Sequence, residues 1–269
     1  MTTAPSKGNP LARSTARTLV TLAGAVLAIV LVWTLFLRTV NVSPFVAKSP
    51  ADVWTYLITA PEAGAHRSAI VTDLLRTLTD AAYGYVLGLA LAAAISLLFY
   101  FSRTAEAMFT PTITAIHAIP MVTVAPILVL IFGRGGPATA VIGASIVVVP
   151  ALLTMLHGIR SAPRTDIDMI TAFGASTLTT FIKVSLPHAV PTWFAAARVA
   201  VTTSVVGALL SEWLATGEGL GGQMLRAANE FRFDRLWASV VVLTVVCVLI
   251  YHVVAVVEDL VTARMTAPR

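Results

Sequence analysis

Residues 236–257 read LWASVVVLTVVCVLIYHVVAVV, a run with no Asp, Glu, Lys or Arg. A helix needs about 20 mainly apolar residues to cross a bilayer, since every backbone polar group must be paired inside the hydrocarbon. The run therefore reads as a membrane span, bounded by Arg235 and Glu258. Reading back toward the start, five more segments satisfy the same rule: 19–37, 81–101, 109–132, 138–156 and 189–214. The expected fold class is all-α, a polytopic membrane bundle with about six transmembrane helices.

Composition agrees. Of the 269 residues, 57% are hydrophobic and only 12% charged, against about 25% charged in a soluble domain. The formal net charge of +5 would raise the question of nucleic acid in a soluble protein. Here Lys and Arg sit at the ends of apolar runs, where they reach lipid headgroups, and no basic cluster interleaved with aromatics occurs, so no nucleic-acid partner is expected. The lone cysteine, Cys247, lies within an apolar run, which leaves no intrachain disulfide or cysteine metal site.

Between the spans the chain is organised as follows. A polar tail, 1–18, carries Lys7, Arg13 and Arg17 ahead of the first span. That pattern resembles a secretory signal, but the apolar run is long and ends at Arg38 without a small-x-small cleavage site, so a retained helix is expected. Residues 38–80 hold Pro44, Pro50 and Pro61 and an amphipathic stretch from Ile70 to Leu78, and read as an extramembrane segment with surface helices. The second span carries Gly84 and Gly88, a spacing that lets another helix approach. Pro111, Pro120 and Pro126 predict that the third span is bent or broken and faces protein or a pathway rather than lipid alone. The turn Gly133–Pro137 makes spans three and four antiparallel neighbours. A polar break at 157–188, a glycine-rich segment from Ala215 to Arg235 and a tail at 258–269 complete the chain.

Six spans place both termini on one side. That side collects nine basic residues against eight on the other, and the small excess assigns it to the cytoplasm. The expected location is the plasma (inner) membrane, multi-pass, with both termini cytoplasmic.

The break at 157–188 has a specific design. Pro163 and Thr165 precede a periodic run of Ile167, Ile170 and Phe173, and Thr165-x-x-Asp168 predicts a capping box with Asp in place of Glu. Gly174 supplies a left-handed residue to end this helix, Ser176 caps a second one holding Leu178, Phe181 and Ile182, and Pro187 precedes the next span. The product is helix, glycine hinge, helix.

Residues Asp168-Met169-Ile170-Thr171-Ala172-Phe173-Gly174-Ala175-Ser176, followed by Val184-Ser185-Leu186-Pro187, resemble the cytoplasmic signature of ATP-binding-cassette importer permeases: Glu-Ala-Ala, three residues, Gly, nine residues, Ile-x-Leu-Pro. Gly174, Leu186 and Pro187 match in register, Asp168 and Val184 are conservative replacements, and Met169 and Ile170 depart from the two alanines. Ser49-Pro50-Ala51-Asp52-Val53, Ala118-Ile119-Pro120 with Pro126 and Phe132-Gly133, Arg198, and Glu212 with Gly219-Leu220-Gly221 resemble the taurine, sulfonate, nitrate and thiamine-precursor branch. The resemblance implies the type I importer permease fold. It also implies a permease of two copies, two cytoplasmic ATPase subunits that hold ATP and Mg2+, and an external substrate-binding protein. It makes the signature loop cytoplasmic, with Asp166, Asp168, Met169, Ile170, Ala172, Phe173, Gly174, Ala175, Ser176, Leu186 and Pro187 as the ATPase-coupling residues. The substrate it implies is a small organic or inorganic anion such as a sulfonate, taurine or nitrate, or alternatively a thiamine or pyrimidine-type precursor.

Polar groups inside the spans are the candidates for the pathway: His117, Pro120, Thr123, Arg198, Ser211 and Glu212. A charge at membrane depth costs at least about 2.5–3.5 kcal/mol, so Arg198 must snorkel to the surface, pair with a carboxylate or attract an anionic substrate. Glu212, with Ser211 and Trp213, reads either as an outer gate or as an interfacial anchor. His117 beside Pro120 reads as a packing residue or as pathway lining, with no second metal-type residue within helical reach.

No Gly-x-x-x-x-Gly-Lys-Ser/Thr occurs and the only lysines are Lys7, Lys48 and Lys183, so the chain is expected to hold no nucleotide, cofactor or metal itself and to have no catalytic residue. An ion-coupled carrier would show repeats and buried midplane acids. Neither is legible, since the acidic residues read as lying outside the spans or at their ends.

Overall fold

In a computed structural model of the chain, Gly24 and residues 27–40 and 43–266 are described. The tail at 1–18 and the start of the first expected span lie outside these residues. All regular structure among the described residues is helical. The elements are α1 (Leu27–Thr39), α2 (Pro50–Trp54), α3 (Ala63–Phe101), α4 (Arg103–His117), α5 (Met121–Phe132), α6 (Gly136–Arg160), α7 (Arg164–Ala172), α8 (Thr177–Thr180), α9 (Leu186–Ser211), α10 (Gly219–Asn229) and α11 (Phe233–Thr266). Wider π turns at Thr55–Thr59, Phe181–Ser185 and Glu212–Thr216 extend α2, join α8 to α9 and end α9.

Four of these helical stretches are long and apolar enough to cross a membrane, and the bent pair α4–α5 makes a fifth. The short apolar α1 falls in the first expected span and stacks Trp33 on Trp237 of α11 with ring centroids 5.4 Å apart.

The core is a three-helix sandwich with α6 between α3 and α9. Glycine decides how closely these helices meet. A Cβ on Gly84 of α3 would lie 2.7 Å from the Gly143 Cα of α6, and a Cβ on Gly207 of α9 would lie 2.7 Å from the same atom. One backbone position on α6 is thus pressed from two sides, a contact that dispersion rather than hydrophobicity must reward inside a bilayer. The Gly84-x-x-x-Gly88 spacing predicted this approach; Gly88 meets Val147 one turn further along. Phe99, Val147, Leu152, Met155 and Ala196 fill the space beyond the crossing.

Two boundaries differ from the sequence reading. The amphipathic stretch around Ile70–Leu78 is not a separate surface helix. It is the first half of α3, which runs 39 residues without interruption, about 58 Å at about 1.5 Å per residue and so nearly twice the hydrocarbon thickness. The stretch holds Leu74 and Leu78, which pack with Leu220 and Met224 of α10 and Leu243 of α11, so its apolar stripe faces protein. The polar break after α6 also ends earlier than Pro187. Helix α8 runs through the π turn directly into α9, giving a continuous helical stretch from Thr177 to Thr216. Proline at 187 removes one donor, and the i→i+5 bond from the Leu186 N–H to the Phe181 carbonyl widens the turn just before it, so the helix absorbs the loss.

The third span is broken as its prolines predict. Helices α4 and α5 meet at 99° across Ala118–Pro120. Helix α4 buries no residue and α5 only Ala125, so this elbow stands outside the core of its own chain.

Candidate coupling loop and translocation elbow

The loop after α6 begins at Pro163, which precedes α7 and offers no side-chain cap. The capping box expected between Thr165 and Asp168 does not form. With Pro163 at the cap, the third helical position is Asp166, two residues before Asp168, and the Thr165 hydroxyl faces Asp166 Oδ1 at 3.4 Å instead. Asp166 in the first turn complements the helix dipole.

The far end of α7 matches expectation in detail. Gly174 has φ +81°. Its N–H donates to the Thr171 carbonyl at 2.9 Å and the Ala175 N–H to the Ile170 carbonyl at 3.2 Å, the paired bonds of a Schellman ending. Ser176 then caps α8, its Oγ accepting the Thr179 N–H at 3.3 Å.

Anchorage and exposure are divided sharply along this loop. At its base Phe181, Val184 and Ser185 are buried, Leu186 packs against Ile159 and Ala189, and the Tyr100 and Ser185 hydroxyls lie 3.0 Å apart. At its tip α7 buries nothing, and Met169 and Phe173 are 61% and 88% exposed. Apolar side chains are thus held out on a short helix that lies between Pro163 and the left-handed Gly174, above a buried base.

The candidate pathway residues separate into groups. His117, Pro120 and Thr123 come together at the exposed elbow, where a cleft of about 610 Å3 between α4, α5 and α6 holds His117, Pro120 and, from α6, Ser145. The broken backbone there presents the carbonyl end of α4 and the N–H end of α5. Ser211 is elsewhere, fully buried, with its hydroxyl 2.7 Å from that of Thr139 on α6.

Arg198 pairs with Glu258 of α11, Nε to Oε2 3.2 Å, with the Tyr251 ring 5.7 Å from its guanidinium carbon. Of the three fates open to Arg198 in the sequence, the carboxylate partner is the one found. Glu258, read as lying at a span end, is on a helix that continues to Thr266.

Glu212 is buried within the chain, 0% accessible. Its Oε2 accepts the Gly221 N–H at 2.7 Å, and Thr77 of α3 accepts the neighbouring Leu220 N–H at 2.8 Å. These are first-turn donors of α10, which have no partner within their own helix. Two side chains from other elements therefore cap a buried helix start. Asp80 on α3, also read as outside the spans, is 2% accessible and lies 3.6 Å from Arg76, which in turn reaches Glu218 at 3.2 Å. The burial of Glu212 and Asp80 is not legible in the sequence because hydropathy windows average over about 19 residues, while a cap contact depends on one atom. The Glu212 to Gly219-Leu220-Gly221 spacing was the available signal. Among the described residues no three His, Cys, Asp or Glu side chains converge as a metal site would require.

Comparison with known proteins decides the kind of molecule. The profile of the binding-protein-dependent transport system inner membrane component family matches residues 84–267. The chain belongs to this family. It is an ABC transporter permease subunit, multi-pass in the membrane. A probable ABC transporter permease protein of Haemophilus influenzae is 28% identical over 83% of this chain and 89% of its own length. The formylaminopyrimidine transport permease of Halalkalibacterium halodurans is 25% identical over 87% of this chain and 91% of its own. A solved amino acid ABC transporter shares the permease fold at TM-score 0.56 and 14% identity, covering 74% of this chain and 95% of that one.

Proposed function

We propose that the chain is the membrane-spanning half of an importer powered by a separate ATPase, with α7 as the element through which ATPase closure reaches the spans. The observation that carries this reading is the Gly174 hinge: an exposed apolar tip on a base locked to α3 and α6 by Tyr100, Ser185 and Leu186. Work can pass through such a lever because it is stiff and protruding, whereas a floppy loop would dissipate it. The loop faces the cytoplasm and both termini share that side. ATP and Mg2+ belong to two ATPase subunits, and a binding protein delivers solute from outside.

The exposed elbow of α4 and α5 supports a second copy across the pathway, since a proline-broken helix at membrane depth is tolerated only against protein or a water-filled cavity. His117, Pro120 and Thr123 then line the route.

The branch resemblance points first to a small anion. One observation favours the pyrimidine-type alternative: the elbow cleft contains no Lys or Arg, only apolar side chains with His117 and Ser145, and the charge of Arg198 is already met by Glu258. An uncharged heterocycle suits such a lining better than a bare anion; the formylaminopyrimidine relative is consistent with this.

The deciding experiment is reconstitution of the permease with its copurifying ATPase and binding protein in proteoliposomes. ATP-dependent uptake of formylaminopyrimidine over taurine or nitrate supports both levels of the reading. Taurine or nitrate uptake sinks the substrate class alone, and uptake driven by an ion gradient without ATP sinks the importer.

A further inference from the structure

Around the base of α7 the three helix ends nearest one another each carry an arginine. Arg103 is the first residue of α4, Arg160 the last of α6 and Arg164 the first of α7. Together they line a cavity of about 380 Å3 that also receives Tyr100, Thr177 and Ser185.

One of the three charges is met. Arg160 holds Glu106 through both carboxylate oxygens, at 2.6 and 2.5 Å. Arg103 and Arg164 form no ion pair among the described residues, although the Arg103 charge also acts on Glu106. Both also stand at helix N-termini, where the dipole already presents positive charge and a further cation is disfavoured. Of the Tyr100 and Ser185 hydroxyl protons only one is used in their mutual bond, which leaves the other to donate into the cavity. Two guanidiniums without an ion pair, two helix N-termini and a spare hydroxyl donor favour an anion, while the C-terminus of α6 is offset by Arg160 and Glu106 is already held by that same guanidinium.

We propose that this cavity binds a phosphate-bearing anion that straps α7 to α4 and α6. A phosphate monoester or diester supplies the multiple acceptor oxygens that two guanidinium forks require. Its source is either the headgroup of an anionic lipid or free phosphate, and basic pockets between helix ends at the cytoplasmic surface are suited to the former. The lipid source rests on the orientation proposed above; the site itself does not.

The test uses the full-length chain in dodecyl maltoside micelles, which carry no phosphate and expose both faces. Phosphatidylglycerol is titrated in one arm and inorganic phosphate in the other, with bound ligand read by native mass spectrometry and by the shift in thermal midpoint. Saturable binding is expected, weakened at least about tenfold in Arg103→Gln/Arg164→Gln, which leaves the Arg160–Glu106 pair in place. Lipid binding insensitive to phosphate assigns the membrane as source; competition by phosphate assigns the free anion; both support the site. Equal binding by parent and variant, or none by the parent, overturns it. A second variant, Glu106→Gln, releases the Arg160 guanidinium and is expected to bind more tightly, with unchanged or weaker binding counting against the site. Orientation is tested separately, by the sidedness of thiol labelling at Ala175→Cys, so a failure there is distinguishable from failure of the site.

Discussion

The Glu212 carboxylate occupies the space that a Cβ on Gly219 would need, so the two residues can coexist only because position 219 has no side chain. Gly219 also has φ +69°, and a Cβ on Gly221 would lie 2.7 Å from Glu212 Oε2. The start of α10 is thus built around one buried carboxylate that accepts a backbone donor.

Removing that acceptor leaves a buried N–H unmet, which costs about 1–3 kcal/mol. Glu212→Ala is therefore expected to lower the thermal midpoint in detergent, while Glu212→Gln, which keeps a carbonyl oxygen at the same reach, loses much less. Equal losses for the two would show that the cap is not what Glu212 provides. Gly221→Ala should resemble Glu212→Ala.

At the helix crossing, Gly143→Leu should prevent α3 and α9 from reaching their present distance from α6, since a Cβ alone at 143 would lie 2.8 Å from the Gly84 Cα. Loss of folded yield is expected. Gly64→Ala, where nothing lies within 4 Å, serves as the control and should be near neutral. Normal thermal stability of the leucine variant would contradict the packing described.

The Arg198–Glu258 pair is partly accessible, with side chains 28% and 16% exposed. Breaking it by Arg198→Ala or Glu258→Ala should cost less than the about 3–5 kcal/mol of a fully buried pair. The exchange Arg198→Glu/Glu258→Arg should recover most of the loss in a double-mutant cycle. Additive losses would mean that the two side chains do not interact.

Hinge chemistry at Gly174 should separate transport from hydrolysis. No atom lies within 4 Å of a Cβ placed there, so Gly174→Val strains only the left-handed backbone, φ +81°, by about 1–2 kcal/mol. Uptake in vesicles should fall while ATP hydrolysis by the complex persists. Uptake at the parent rate would remove the hinge from the mechanism.

Outside the helices long and apolar enough to cross a membrane, the Ser49 backbone N–H and hydroxyl both donate to Asp52 Oδ2 at 2.8 Å and hold its carboxyl below the usual range. A depressed carboxylate contributes stability that is present above its unfolded value of about 4 and is lost as pH falls through the folded one. Amide exchange in residues 49–53 should accelerate on acidification in the parent and lose that dependence in Asp52→Asn.

Much of this was legible in the chain itself. Apolar length set the spans, Gly174 and Ser176 set the ending of α7 and the start of α8, and Pro120 set the break in the third span, because each of these depends on local backbone chemistry. The capping box at Thr165 failed for an equally local reason, since Pro163 starts the helix earlier than Thr165 would.

By itself the sequence determined that the chain folds as helices in a bilayer, that the third span is broken and which loop carries the signature, since hydropathy, proline and glycine act within a few residues. Tertiary structure alone decided that Arg198 is answered by Glu258, that Glu212 and Thr77 cap α10, and that Gly84 and Gly207 meet at Gly143. Those relationships join residues far apart in the chain, and only the packing of whole helices, atom against atom, brings them within contact.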